Sequence, residues 1–182
     1  MNTIKSLRSN VSVNLARQRG ASLLEGIAYL GIAAIVVLGA VSLLTGAFSS
    51  AQSNRVAEEV VSIRTAVKKL YMSQSSGYGA ATLMPILVPA KVLPTTLTLN
   101  LAANTATNAW GGAVDVAGLG GNRFTITYNG VPPDACINII SGASGWESIV
   151  GGGGAVGTFP ASPADAQTAC GAAAGNIVWT SF

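Results

Sequence analysis

The chain has 182 residues, 49% of them hydrophobic and only 9% charged, with 22 Gly, no His and a net charge of +3. That length allows one domain with a modest core. Lys5, Arg8, Arg17 and Arg19 all precede Gly20 with no acid among them, leaving six bases against seven acids in the rest. The basicity is confined to the N-terminal tail, so nucleic-acid binding through a basic face is excluded.

In chain order, residues 1–20 are polar and basic, without apolar periodicity. Residues 26–54 then carry no charge. The apolar part of that run, residues 26–48, would span about 35 Å as a helix, enough for a bilayer. Bases before it and few after it place the N-terminus in the cytoplasm. In "RVAEEVVSIRTAVKKLYM", Val56, Val60, Ile63, Val67 and Leu70 recur at helical spacing, with Arg55, Glu58, Glu59, Arg64, Lys68 and Lys69 between them. This is an amphipathic helix with one buried stripe. No Pro separates it from the apolar run, which predicts one helix from about Ser22 to about Met72. Two helices hinged near "SSAQSN" are the alternative.

"SQSSGYG" ends the helix. Residues 80–107 read as a Pro-punctuated connector with at most one short helix. "AWGGAVDVAG" and "NRFTITYNGV" read as strands of a hairpin joined by "GLGGN". "PPDACINIIS" predicts a short helix, "ESIVGGGGAVGTFPASP" a glycine loop, "ADAQTACGAAAG" a small-residue segment and "NIVWTSF" a last strand. The expected class is α+β: a long N-terminal helix packed on a small antiparallel sheet.

Catalytic and cofactor chemistry find no residues. Without His there is no triad, and no carboxylates pair for acid–base work. The absence of His and of C-x-x-C excludes a zinc site. "GGGAVG" at 152–157 matches G-x-G-x-x-G literally, but "TFPASP" follows it rather than a helix, which argues against a dinucleotide. Trp110, Trp146 and Trp179 read as core or subunit-contact residues. No cofactor and no metal are expected, and the chain reads as a non-enzyme. Cys136 and Cys170 read as one disulfide if the domain reaches an oxidising compartment, and otherwise as two free buried thiols.

The junction at Gly20 is the most informative stretch. A secretory signal would not carry Glu25 inside its apolar region. A plain membrane anchor would leave that carboxylate unpaired at a cost. Ser22-x-x-Glu25 also fits a capping box, a purely local use for the acid.

Bases, then Gly20, then "ASLLEGIAYLGIAAIVVL" resembles the class III signal of type IV prepilins. The resemblance implies that a membrane prepilin peptidase cuts between Gly20 and Ala21, making Glu25 the fifth mature residue. It also gives Glu25 a partner, the new α-amino group at Ala21 of a neighbouring subunit. Residues 1–20 would then be a cleaved leader, 21–54 a membrane and fibre-core half-helix, and 55–182 a globular head. The long leader and Ala21 in place of the usual Phe resemble the type IVb group, which includes thin conjugative pili and enterobacterial pili. The connector, "NAWGGAVDV" and the Cys pair around the C-terminal region look type IVb-like too. The helix lacks the Pro of the type IVa pattern, leaving Gly39 and Gly46 as its weak points.

The implied protein is a major pilin: an inner-membrane precursor with a periplasmic head, polymerised with identical copies by the inner-membrane assembly machinery into an extracellular filament. Adhesion, aggregation and mating contact all fit such a filament, and N-methylation of Ala21 would depend on the peptidase. Two rivals stand beside it. One is a type II secretion pseudopilin, although the acid-rich calcium loop usual there has no counterpart around Glu147 and Asp165. The other is a bitopic periplasmic binding protein that is never cut at Gly20.

Overall fold

A computed structural model describes residues 22–182. They fall into two compact units, one ending at Ser42 and one covering Leu43–Phe182. Helix α1, Leu23–Tyr71, is continuous, so the hinge near "SSAQSN" does not form. Nothing in that segment forces a break: Ser53 returns its hydroxyl to the Ser49 carbonyl at 2.9 Å, a local bond compatible with helix. Lys68 and Lys69 in the last turn complement the helix dipole.

Beyond Tyr71 the second unit builds α2 (Met84–Leu87), β1 (Thr98–Asn100), β2 (Thr105–Thr107), β3 (Ala113–Gly118) and β4 (Phe124–Val131). There follow α3 (Pro133–Ser141), β5 (Ser148–Val150), β6 (Ala155–Val156), α4 (Pro163–Cys170) and β7 (Gly175–Ser181). Among the described residues the strands form one seven-stranded sheet in the order β1-β2-β3-β4-β7-β5-β6, with antiparallel pairing throughout. The C-terminal strand thus lies inside the sheet, with Trp179 opposite Ile126 on one side and Ile149 on the other.

Val56, Val60, Ile63 and Val67 are buried in one core with Phe124, Ile126, Tyr128, Ile140, Ile149, Ile177 and Trp179. The helical stripe therefore covers the sheet as the periodicity predicts, except that Leu70 is only partly buried near the helix end. Alternation along β4 puts Phe124, Ile126 and Tyr128 inward and Thr125 and Thr127 outward.

Three expectations need correction. The connector over residues 80–107 contains β1 and β2 as well as α2. Each strand has three residues, too few for a visible alternation. The glycine loop after Glu147 is a hairpin of β5 and β6, with Ile149 paired to Val156. The small-residue segment after it is helix α4, whose entry is marked by Ser162-Pro163-Ala164-Asp165. There Ser162 caps the helix by accepting the Asp165 N–H at 3.2 Å, with Pro at the first helical position.

The first expected strand also begins later than the sequence suggests, because "NAWGG" is a turn. Asn108 is buried, and its Oδ1 accepts the N–H groups of Trp110 and Gly112 at 3.0 and 2.9 Å. Its Nδ2 donates to the Asn129 carbonyl at 2.8 Å. A Cβ at position 112 would collide with that same carbonyl oxygen, so only glycine lets the turn lie against β4. The ladder between β4 and β7 shifts register between Tyr128 and Val131, and Asn129 sits in that irregularity. One side chain therefore closes the turn and holds the bulge. Asn108→Ala should leave these groups unpaired and lower stability by about 2–3 kcal/mol, measured by denaturant unfolding of the full chain in detergent. An unchanged midpoint would show that Asn108 is dispensable.

Candidate functional site

The first half of α1 exposes nearly every large side chain it carries. Leu23 is 82% exposed, and Leu24, Tyr29 and Ile32 are uncovered too. These positions go around the helix rather than along one face. An all-round apolar helix belongs against lipid or other apolar helices, because water gains nothing by contacting it. Among the described residues α1 is the helix long and apolar enough to cross a membrane. Glu25 is exposed near its start, and no described side chain pairs with it. The expected cleavage junction, Gly20 and Ala21, lies outside the described residues. Gly39 and Gly46 are helical, with open space around them.

The second half of α1 is fixed to the sheet partly by a polar contact that the sequence pattern hides. Glu59 is only 5% exposed, and its Oε2 accepts the Tyr128 hydroxyl at 3.1 Å. Burial, then the negative charge of Glu59 and the hydrogen bond itself, push Tyr128 far above the usual phenol range, so its proton stays on as donor. The signal was available: Glu59 lies three residues after Val56 and four before Ile63, inside the apolar stripe. Farther toward the N-terminus, Ser49 donates its hydroxyl to Asp134 in the first turn of α3. That bond holds the Asp134 carboxyl below the usual range, against the opposing effect of burial.

The C-terminal region is tied by a Cys136–Cys170 disulfide between α3 and α4, with Cα atoms 5.9 Å apart. It closes a 34-residue separation, a restriction of the unfolded chain worth about 3–4 kcal/mol by loop-closure entropy. The glycine run packs on the end of α4: Gly153 and Gly154 both donate to the Ala169 carbonyl, at 2.7 and 3.1 Å. Those N–H groups are therefore committed to backbone and do not cradle a phosphate, in keeping with the mismatch to a dinucleotide motif. Trp146 and Trp179 are core residues, and Trp110 is partly buried against the same core.

A long N-terminal helix laid on an antiparallel sheet, with a disulfide-bounded C-terminal region, is the fold of type IV pilins. Similar solved structures carry that description. A type IVb pilin from Salmonella typhi has 25% identity and a TM-score of 0.54, over 68% of this chain and 95% of its own. TcpA, a type IV pilin from Vibrio cholerae El Tor biotype, shares the fold at 14% identity and a TM-score of 0.51, over 72% of this chain and 99% of its own. No curated protein sequence matches the chain at a significant level. Residues 50–182 match the family described as PilS N terminal, so the chain belongs to that family and is a type IV pilin of the IVb group. Pilins are structural subunits rather than enzymes.

The Glu59–Tyr128 pair has a measurable consequence for the head. Tyr128→Phe should cost about 1.5–3 kcal/mol, because it strips a buried carboxylate of its donor. Combining it with Glu59→Met should cost less than Tyr128→Phe alone, since an apolar pair removes the desolvation penalty. Urea unfolding of the three proteins checks the order, and a double variant weaker than the single one would refute the pairing.

Proposed function

We propose that the chain is made as a prepilin and polymerised into a type IVb pilus. A prepilin peptidase removes residues 1–20 at Gly20–Ala21. Residues 21–54 hold the subunit in the inner membrane, N-terminus cytoplasmic and head periplasmic, until the assembly machinery moves it into the filament. Residues 55–182 form the surface that meets other cells or substrates, in adhesion, aggregation or conjugative contact. The observation that carries this reading is the uncovered apolar half of α1, with Glu25 as its one charge.

In the membrane, lipid covers residues 23–48. In the filament, the same half-helices of identical copies take over that role. Burial of each Leu, Ile or Val side chain contributes about 1.5–3 kcal/mol, and this is the main assembly energy. Glu25 then faces an apolar interior and needs a cation. The α-amino group that cleavage creates at Ala21 supplies it, so the two charges lose most of their desolvation cost together. The charge also gives direction to an otherwise featureless apolar contact.

Glu25→Ala should leave membrane insertion and the head untouched while removing filaments. It strands an ammonium in the fibre core, a loss of several kcal/mol at each junction. If Glu25 served only as a helix cap, the loss would be about 1 kcal/mol and pili would still form. Electron microscopy of sheared cell surfaces, with an immunoblot for processed subunit, separates the two outcomes. Abundant normal filaments from the variant would contradict the role given to Glu25.

A further inference from the structure

The exposed ridge of α1 in the second unit has two unlike flanks. With 3.6 residues per turn, Arg55, Glu58 and Ser62 lie to one side of the ridge and Ala57, Val61 and Arg64 to the other. The first flank borders a hollow of about 480 Å³, closed on its far side by Pro94 and Thr96 of the connector. Glu58 stands at its rim, and the buried Glu59 also lines it. Two carboxylates there face one guanidinium, that of Arg55.

The second flank meets the segment after α3, around a smaller hollow of about 100 Å³ lined by Val61, Ala143 and Trp146. Val61 is an exposed large apolar residue. Arg64 lies over the Trp146 ring at 4.7 Å from its centroid, and Lys68 over Phe182 at 5.5 Å. Burial and the nearby Arg64 both lower the Lys68 pKa, as expected where two cations share one apolar strip. No acid lines the second hollow. Among the described residues the one salt bridge is Arg123–Glu147, and neither Glu58 nor Arg64 has an ionic partner there.

An open filament needs contacts of a particular kind. A self-complementary patch closes a dimer and stops, whereas a contact that repeats without closing must join two different surfaces of each copy. The two flanks of α1 are different and opposite in charge.

We infer that in the filament the Arg64–Val61–Trp146 flank of one head packs on the Glu58 flank of the next, with Arg64 of one copy donating to Glu58 of its neighbour. This rests on the filament reading above. The aromatic ring beneath Arg64 already fixes its guanidinium, so little freedom remains to be lost when a carboxylate arrives. Val61, exposed beside the pair, supplies the apolar contact. The hollow bounded by Pro94 and Thr96 receives it, and the charges set which flank meets which.

Charge reversal tests the contact in the full chain, expressed in cells that carry a type IVb pilus assembly machinery. Glu58→Arg and Arg64→Glu should each reduce sheared filament at least about tenfold, and the double reversal should restore most of the yield. Processed, disulfide-bonded subunit in each strain confirms that the head has folded. Because Arg64→Glu also disturbs the Trp146 contact, a second variant gives an independent reading: Glu58→Cys with Arg64→Cys in one chain. These positions are too far apart and too differently directed on one helix to join within a subunit. Mild oxidation of its filaments should therefore give a ladder of covalent multimers. Normal filaments from both single reversals, or cysteine filaments that stay monomeric after oxidation, would overturn this interface while leaving the assembly reading intact. Absence of filaments from the unaltered chain would remove both.

Discussion

Residues 23–48 of α1 carry an apolar surface on every side, and no other described residue buries it. Water solvates such a helix poorly, so it is stable only against lipid or other apolar helices. A single charge in that setting cannot be neutral in its effect. It either costs stability or selects a partner, and the proposed function gives Glu25 such a partner of opposite charge.

The head holds the second half of α1 against its sheet. Val56, Val60, Ile63 and Val67 supply most of the adhesion by burial. Burial alone tolerates some sliding of a helix over a sheet. The Glu59–Tyr128 hydrogen bond does not, because any slip would strand a buried carboxylate. In the sheet beneath, β7 lies between β4 and β5, and its Ile177, Trp179, Thr180 and Ser181 are buried. The disulfide ties α3 to α4, and the glycine run ties α4 to the β5–β6 hairpin.

Much of this was legible in the sequence wherever one signal acted over many residues. The long helix follows from an uninterrupted apolar run that passes into a stripe at Val56, Val60, Ile63 and Val67. The β3–β4 hairpin and the last strand follow from alternation. The failures were local. β1, β2 and β6 have three residues or fewer, so no period develops, and long-range pairing creates them. α4 was hidden by its Ala-rich composition, although Ser162-Pro163-Ala164-Asp165 announced its start. The charge of Glu59 sets it apart from the apolar stripe, yet its place between Val56 and Ile63 puts it on the buried face. Asn108 gave no periodic signal, since its role lies in turn hydrogen bonds.

The central claim is that this helix is released from a leader at Gly20 and then buried among copies of itself. Mass spectrometry of the subunit recovered from sheared surface filaments tests it most directly. The account predicts a filament subunit that begins at Ala21 and retains the whole apolar half of α1. A subunit beginning at Met1, or one cut downstream of Phe48 and lacking that half-helix, would contradict it.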